Sequence, residues 1–130
     1  MNAAGDRSAK EPQELGRLFE ARLGAGDLEG ILALYEPDAV LHFPPGNVAS
    51  GRDAIRATLE QALAGRPRIK LQPKDVLQVG ELALLTNGWT MDVTGPDGQP
   101  ASLSGFTAEI ARRQADGTWL WVIDDPSAGA

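Results

Sequence analysis

Hydrophobic and polar positions follow two different periods along this chain, first that of helices and later that of strands. Apolar side chains recur three and four residues apart between residues 13 and 25, which predicts a first amphipathic helix. Gly26 is placed to end this helix, and Asp27 to cap a short second helix that extends to Tyr35. The same spacing predicts a third helix over residues 52–64.

After the third helix, apolar and polar residues alternate with period two, as in strands with one buried face. Pro-Asp-Gly at 96–98 and Ala-Asp-Gly at 115–117 predict tight turns between these strands. The predicted strands cover residues 39–43, 67–79, 82–93, 101–113 and 118–124. Three helices followed by a four-stranded antiparallel meander, with one extra short strand, predict an α+β fold.

Both ends of the chain are rich in small and polar residues. We therefore predict a disordered N-terminal tail over residues 1–12 and a flexible C-terminal tail over residues 127–130. The remaining residues, 13–126, are long enough to form a single domain with its own core.

Composition excludes several classes of function. The chain has no cysteine and one histidine, so we expect no disulfide, no metal site and no other cofactor. Its formal net charge of −6 argues against binding to nucleic acid or to an anionic membrane. No apolar run approaches the roughly 20 residues of a membrane span. These features are typical of a cytoplasmic protein.

Three short sequences mark the joints between the first helices and the first strand: Gly-Asp-Leu at 26–28, the proline-glycine break at 44–47, and Gly-Arg-Asp-Ala-Ile at 51–55. In this order they resemble the nuclear-transport-factor-two-like superfamily, and within it the SnoaL-like and ketosteroid-isomerase-like proteins. The resemblance extends from about Glu14 to Pro126. It implies a cystatin-like α+β fold, a conical barrel in which three N-terminal helices pack on a curved, mostly antiparallel sheet. Because this fold hosts isomerases, cyclases, epoxide hydrolases, dehydratases and many non-enzymes, it says little about the reaction.

Ketosteroid isomerases use an aspartate base after the first strand, a tyrosine on the first helix, and a protonated aspartic acid on a later strand. The last group is a known case of a carboxylic acid kept neutral by an apolar site. Matching the joints places Phe43 at the base and Phe19 at the tyrosine, and counting back from Gly117 places Glu109 at the acid. Phenylalanine cannot transfer a proton. The resemblance therefore implies a pocket lined by Phe19 and Phe43, and it disfavours steroid isomerase activity.

Glu109 is a candidate catalytic residue with two alternative orientations. If it faces into the cone, it can act as an acid or a hydrogen-bond donor. If it faces outward, it is expected to pair with Arg112 or Arg113, and buried lone carboxylates are rare. The sequence leaves both orientations open.

Asp124 is the first choice for the acid, because the resemblance implies that its strand borders the ligand cavity. Neighbouring residues of a strand point to opposite faces, so Asp124 and Asp125 are expected to point in opposite directions. Period two places Asp124 on the same face as Leu120 and Val122, which we predict to line the pocket. Alternatively, Asp124 and Asp125 form a turn before Pro126.

His42 and Tyr35 are further candidates. His42 is the only histidine and is a natural general base near neutral pH. If Phe43 faces the cavity, however, period two directs His42 away from it, toward an edge or an interface. The resemblance implies that Tyr35 lies beside Phe19 and Leu59, neither of which can form a hydrogen bond with it. Its hydroxyl can therefore bind a ligand, or Tyr35 can be an ordinary core residue.

Asn87 and Trp89 share one face of the most apolar predicted strand. Met91 lies on the same face, and a tryptophan, a methionine and an amide on one concave face suit a small hydrophobic ligand with one polar handle. Alternatively, the same residues form a core or a dimer contact. The sequence therefore predicts a SnoaL-like protein that binds a small hydrophobic molecule, as an acid–base isomerase, cyclase or hydrolase. The alternative is a non-catalytic module that binds a ligand or another protein.

The same resemblance implies a homodimer formed through the outer face of the sheet. Trp119, Trp121 and Phe106 are expected to supply its apolar surface, because a small monomer seldom exposes so many large side chains.

Overall fold

The computed structural model describes residues 8–129, so the expectations for residues 1–7 and 130 lie outside it. Within this range, three helices precede or flank a single six-stranded sheet. The helices are α1 (Glu14–Gly24), α2 (Leu28–Leu32) and α3 (Arg52–Ala64). The strands are β1 (Tyr35–His42), β2 (Val48–Ser50), β3 (Arg68–Val79), β4 (Leu82–Thr94), β5 (Pro100–Arg113) and β6 (Trp119–Asp125).

The sheet has the strand order β2-β1-β6-β5-β4-β3. Strands β1 and β6 run parallel, and the other neighbouring pairs are antiparallel. The sheet is curved and open, with β2 and β3 as its edges, and α1 contacts β3 while α3 contacts β1 and β2. The predicted α+β fold, with three helices packed on a curved and mostly antiparallel sheet, is confirmed.

The joints between the helices form as the sequence predicts. Gly26 has a φ of 69°, a left-handed conformation that suits glycine after a helix end. The Asp27 side chain accepts a hydrogen bond of 2.9 Å from the backbone N–H of Gly30, which caps α2. Helix α3 begins and ends as predicted and buries Ile55 and Leu59. No helix in the described range is long and apolar enough to cross a membrane.

The second helix is shorter than predicted, and Tyr35 does not belong to it. Helix α2 ends at Leu32, and Tyr35 begins β1, where it pairs in parallel with Trp121. A backbone bond of 2.8 Å from the N–H of Trp121 to the carbonyl of Leu34 fixes this entry into the sheet. Pairing with β6 thus outweighs the helical spacing, as tertiary contacts often do for a short segment.

The chain around residues 44–47 also differs from the prediction. The strand before it breaks at the prolines, but the chain returns as β2, which pairs with the end of β1 through Leu41 and Ala49. The prediction of one short strand in this region was therefore wrong, since two strands form a small hairpin.

The ends of the domain extend beyond the predicted limits of residues 13 and 126. Ala9 is buried, and its carbonyl accepts a 2.9 Å bond from the N–H of Trp119. Pro12 is buried as well. At the other end, the hydroxyl of Ser127 donates a 2.9 Å hydrogen bond to the carbonyl of His42. Residues inside both predicted tails therefore take part in the packing of the domain.

Candidate active site

A cavity lies between helices α1 and α3 and the concave face of the sheet. Its volume is about 60 Å³. The predicted ligand-binding residues that line it are Phe19, Tyr35, Phe43, Leu59 and Trp89. Both Glu109 and Asp124 also face it, so the structure brings the two candidate acids together.

Glu109 is buried within a set of hydrogen-bond donors. Its Oε2 accepts bonds from the Asn87 side-chain amide at 3.1 Å and from the Thr107 hydroxyl at 3.2 Å. Its Oε1 accepts a bond of 2.8 Å from the indole N–H of Trp121. Glu109 is 4% exposed. The alternative in which Glu109 faces outward and pairs with Arg112 or Arg113 is therefore wrong.

Asp124 faces Glu109 directly across the β5–β6 ladder, where the two residues are paired. Side chains opposite each other on antiparallel strands have Cβ atoms about 5 Å apart, so the two carboxyl groups are close neighbours. The hydroxyl of Tyr35 donates a bond of 2.6 Å to Asp124 Oδ2. Tyr35 is thus hydrogen-bonded to one of the two candidate acids.

Burial changes the pKa values of Glu109, Asp124 and Tyr35. It raises the pKa of Glu109 to about 8, with the nearby charge of Asp124 adding to the effect and the three donors opposing it. Burial also raises the pKa of Asp124 to about 6, while the Tyr35 hydroxyl opposes the rise. The pKa of Tyr35 is raised well above its usual value, by burial first and by Asp124 second. At pH 7 the pair as a whole therefore carries about one proton, which resides chiefly on Glu109 because its pKa is raised further than that of Asp124.

Asp124 reaches the cavity for a reason that the sequence does not reveal. In the β5–β6 ladder, Ile110 pairs with Ile123 and the next residue, Ala111, pairs with Trp121. Strand β6 therefore contains one extra residue, Val122, and this bulge reverses the alternation of its side chains. As a result, Asp124 shares the inner face with Trp121.

The predicted wall residues Leu120 and Val122 are corrected by the same bulge. Neither is among the residues that line the cavity, because Leu120 precedes the bulge on the other face and Val122 is the bulged residue. Trp121 takes their place, although it was expected on the outer face. Trp119 and Trp121 are both buried, with 2% and 1% exposure.

His42 does not reach the cavity either. Its Nδ1 lies 3.0 Å from Asp125 Oδ1, and its Nε2 accepts a 3.0 Å bond from the backbone N–H of Gly46. Since Nε2 is an acceptor, Nδ1 carries the proton and donates to Asp125. Both ring nitrogens are thus engaged, one with the loop after β1 and the other with the end of β6. The candidate role of His42 as a catalytic base is not supported by its position.

Asn87 lies behind the cavity, where it donates to Glu109 instead of contacting the open space. Met91, which period two places on the same face as Trp89, lines the cavity. Several other lining residues were not predicted, namely Thr107, Trp121 and Pro126 with five aliphatic side chains. For Pro126 no signal was present, since it lines the cavity only because the chain turns back after β6.

The site contains acids and donors but no metal-binding set. Within residues 8–129, no group of three or more His, Cys, Asp and Glu side chains is arranged to hold a metal ion. A neutral carboxylic acid beside a carboxylate is instead the arrangement of acid–base sites, in which two environments hold two pKa values apart.

The fold and the cavity define a class of protein: an α+β domain in which helices and a curved sheet enclose an apolar pocket with a few polar groups. The sequence profile of the SnoaL-like domain family matches residues 15–124, and the chain belongs to this family. The resemblance inferred from the joints is therefore confirmed. No curated protein sequence matches this chain.

Solved structures show the same fold at low sequence identity. A ketosteroid isomerase-like protein from Erwinia carotovora atroseptica is 17% identical with a TM-score of 0.75, covering 87% of this chain and 89% of that chain. An NTF2-like protein with a cystatin-like fold from Novosphingobium aromaticivorans is 23% identical with a TM-score of 0.75, covering 89% and 78%. A conserved protein from Planctomyces limnophilus is 19% identical with a TM-score of 0.78, covering 87% and 89%. These similarities establish the fold alone.

Proposed function

We propose that this protein is an acid–base enzyme that acts on a small hydrophobic molecule bound in the cavity. The observation that carries the proposal is the facing pair of buried carboxyl groups, with the pKa of Glu109 raised to about 8 and that of Asp124 to about 6. The pair provides a proton donor and a proton acceptor at the same pH. The wall around it is apolar, which favours a hydrophobic substrate.

Each residue of the pair has a distinct role in this proposal. The Asp124 carboxylate is the general base, and it takes a proton from the substrate or from a water molecule. Glu109 donates a proton or a hydrogen bond to the oxygen where negative charge develops. Tyr35 holds Asp124 in place through its 2.6 Å bond. Reactions of the isomerase, cyclase and hydrolase types all need these two roles.

Steroid isomerase activity remains disfavoured. Phe43 lines the cavity at the position where the resembling isomerases carry their base, and it has no titratable group. Asp124 approaches from β6 instead. The base of the proposed reaction therefore acts from a different wall of the pocket.

The alternative is a non-catalytic module that holds a hydrophobic ligand. It is favoured by one observation: among the described residues, no buried side-chain nitrogen or oxygen lacks a hydrogen-bond partner. A satisfied polar network of this kind can also serve to fix a unique core.

Base-promoted ring opening of nitrobenzisoxazole distinguishes the acid–base enzyme from the non-catalytic module. In this reaction a carboxylate removes the ring C–H proton, the N–O bond breaks, and a nitrile and a coloured phenolate form. We expect turnover that rises with pH through the pKa of Asp124, about 6, and falls through that of Glu109, about 8. Substitution Asp124→Asn should lower the rate by about 10²-fold or more, because removal of a general base commonly costs that much.

The matched control is Asp38→Asn, which removes an exposed carboxylate from β1 and should leave the rate unchanged. An Asp124→Asn variant that turns over the probe as fast as the wild type contradicts the assignment of the base. Binding of the probe without any turnover supports the non-catalytic module instead.

A further inference from the structure

The cavity contains a negative charge without a positive partner. Asp124 is ionised at pH 7, yet no lysine, arginine or histidine is among the described residues that line the space. The ion pairs found within residues 8–129 involve neither Asp124 nor Glu109. A buried carboxylate without a cation is unusual, since charges removed from water are normally paired.

The Asp124 carboxylate can accept a further hydrogen bond from a ligand. Its Oδ2 accepts the hydrogen bond from Tyr35, and the side chain of Thr107 is a second hydrogen-bond partner of the carboxyl group. An ionised carboxyl group has about four acceptor positions on its two oxygens, so these two donors leave room for a third from the cavity that Asp124 lines.

Aromatic rings form much of the wall around this carboxylate. Trp121 lies against Tyr35 and Phe19, with ring centroids 5.1 Å and 5.7 Å away. On another side, Phe43 and Trp89 meet at 6.5 Å. The faces of aromatic rings attract cations, most strongly where water is excluded. The rings and the carboxylate line the same cavity, so a cation bound at Asp124 is surrounded by aromatic side chains.

We propose that the ligand of this site is a small apolar amine, bound as its ammonium ion. This inference rests on the proposed function, because it names the substrate class of the same cavity. The ammonium group donates to one acceptor position of the Asp124 carboxylate and leaves another for proton transfer, and the hydrocarbon part lies against the aromatic wall. An apolar anion of the same size is repelled by Asp124, and the net charge of −6 adds to this selection on approach.

Three probes of matched shape test the proposal: benzylamine, benzyl alcohol and benzoate, which are cationic, neutral and anionic at pH 7. Calorimetric titration should show benzylamine binding at least about tenfold more tightly than benzyl alcohol, because bonds to charged groups are stronger than neutral ones. Benzoate should show no binding. Benzyl alcohol binding as tightly as benzylamine, or no binding by any probe, overturns the proposal.

Two further measurements attribute the preference to Asp124. In the wild type, the preference for benzylamine should fade as the pH falls below about 6, where Asp124 takes up a proton. The Asp124→Asn variant should bind benzylamine and benzyl alcohol equally, while Asp38→Asn keeps the preference. A preference that persists at low pH and in Asp124→Asn contradicts the inference. Turnover of nitrobenzisoxazole is measured separately, so the proposed function can stand when the amine preference fails, and the reverse.

Discussion

Glu109 is subject to two opposing influences, and their balance sets its charge. Three donors stabilise the carboxylate form, whereas burial and the neighbouring Asp124 destabilise it. Burial is the largest contribution, so the pKa rises to about 8 and the neutral acid prevails at pH 7. The donors therefore orient the carboxyl group without ionising it.

This balance predicts an unusual dependence of stability on pH. The pKa of a glutamate exposed to water is 4.5, and that of Glu109 in the folded protein is about 8. Between these values the folded state keeps a proton that the unfolded state releases, so the free energy of unfolding falls as the pH rises from 5 to 8. Asp124 acts in the same direction over a lower range, from 3.8 to about 6.

Substitution Glu109→Gln should remove the larger part of this decline. We expect urea unfolding of the wild type to show a loss on the order of a few kcal/mol between pH 5 and pH 8, and the variant to show a much flatter profile. Equal slopes for the two proteins would mean that Glu109 ionises normally.

At the level of single residues, both acids could be predicted from the sequence, but the geometry that brings them together could not. Glu109 was predicted as a site residue from the equivalent position in the resembling family. Its inward orientation depends on the register of the strands, which periodicity alone leaves open. Asp124 was predicted to face the pocket together with Leu120 and Val122. Asp124 does face the pocket, but it lies on the opposite face of β6 from Leu120, because the bulge at Val122 reverses the alternation of side chains. The position of His42 does not support a catalytic role, since one of its nitrogens bonds Gly46 in the adjoining loop and the other bonds Asp125 at the end of β6.

At the level of elements, the helices and long strands were predictable because each has a regular apolar period. Helix α3 has the predicted limits, and β3, β4 and β5 differ from prediction by a residue or so at their ends. Irregular pairing was not predictable. The bulge of β6 and the return of the chain as β2 depend on contacts between distant segments, which no local pattern records.

The cavity wall also depends on a close approach between two strands. Trp89 and Gly105 are paired across β4 and β5, and a Cβ atom on Gly105 would lie 2.6 Å from the indole ring. The glycine therefore allows the ring to lie over β5. The indole N–H then donates a 2.9 Å bond to the carbonyl of Pro126, which holds the chain after β6 against the cavity.

At the level of the whole molecule, an apolar stripe crosses the outer face of the sheet. Leu77 pairs with Leu84, Leu84 with Ile110, and Ile110 with Ile123, so one row spans four strands. Leu77 is 63% exposed, and Leu84 and Ile123 are each 40% exposed. We propose that this stripe, and not the buried tryptophans, forms the contact of a homodimer.

Charge on the stripe should separate the subunits. Sedimentation equilibrium at micromolar concentration is expected to give the dimer mass for the wild type and the monomer mass for Leu84→Lys, because a lysine at the centre of an apolar contact must lose its hydration. Val48→Lys, at an exposed position on β2 away from the stripe, is the control and should remain dimeric. A monomeric wild type contradicts the proposal.

The proposed mechanism requires that Glu109 and Asp124 have widely different pKa values. NMR titration of the side-chain carboxyl carbons in the wild type tests this difference most directly, and the variants Glu109→Gln and Asp124→Asn assign the signals. We predict that Glu109 titrates near pH 8 and Asp124 near pH 6. We also predict that removal of Asp124 lowers the pKa of Glu109, since the charge of Asp124 helps to raise it. A Glu109 signal that titrates at or below 4.5, the value of an exposed glutamate, would contradict the neutral acid on which the proposed chemistry depends.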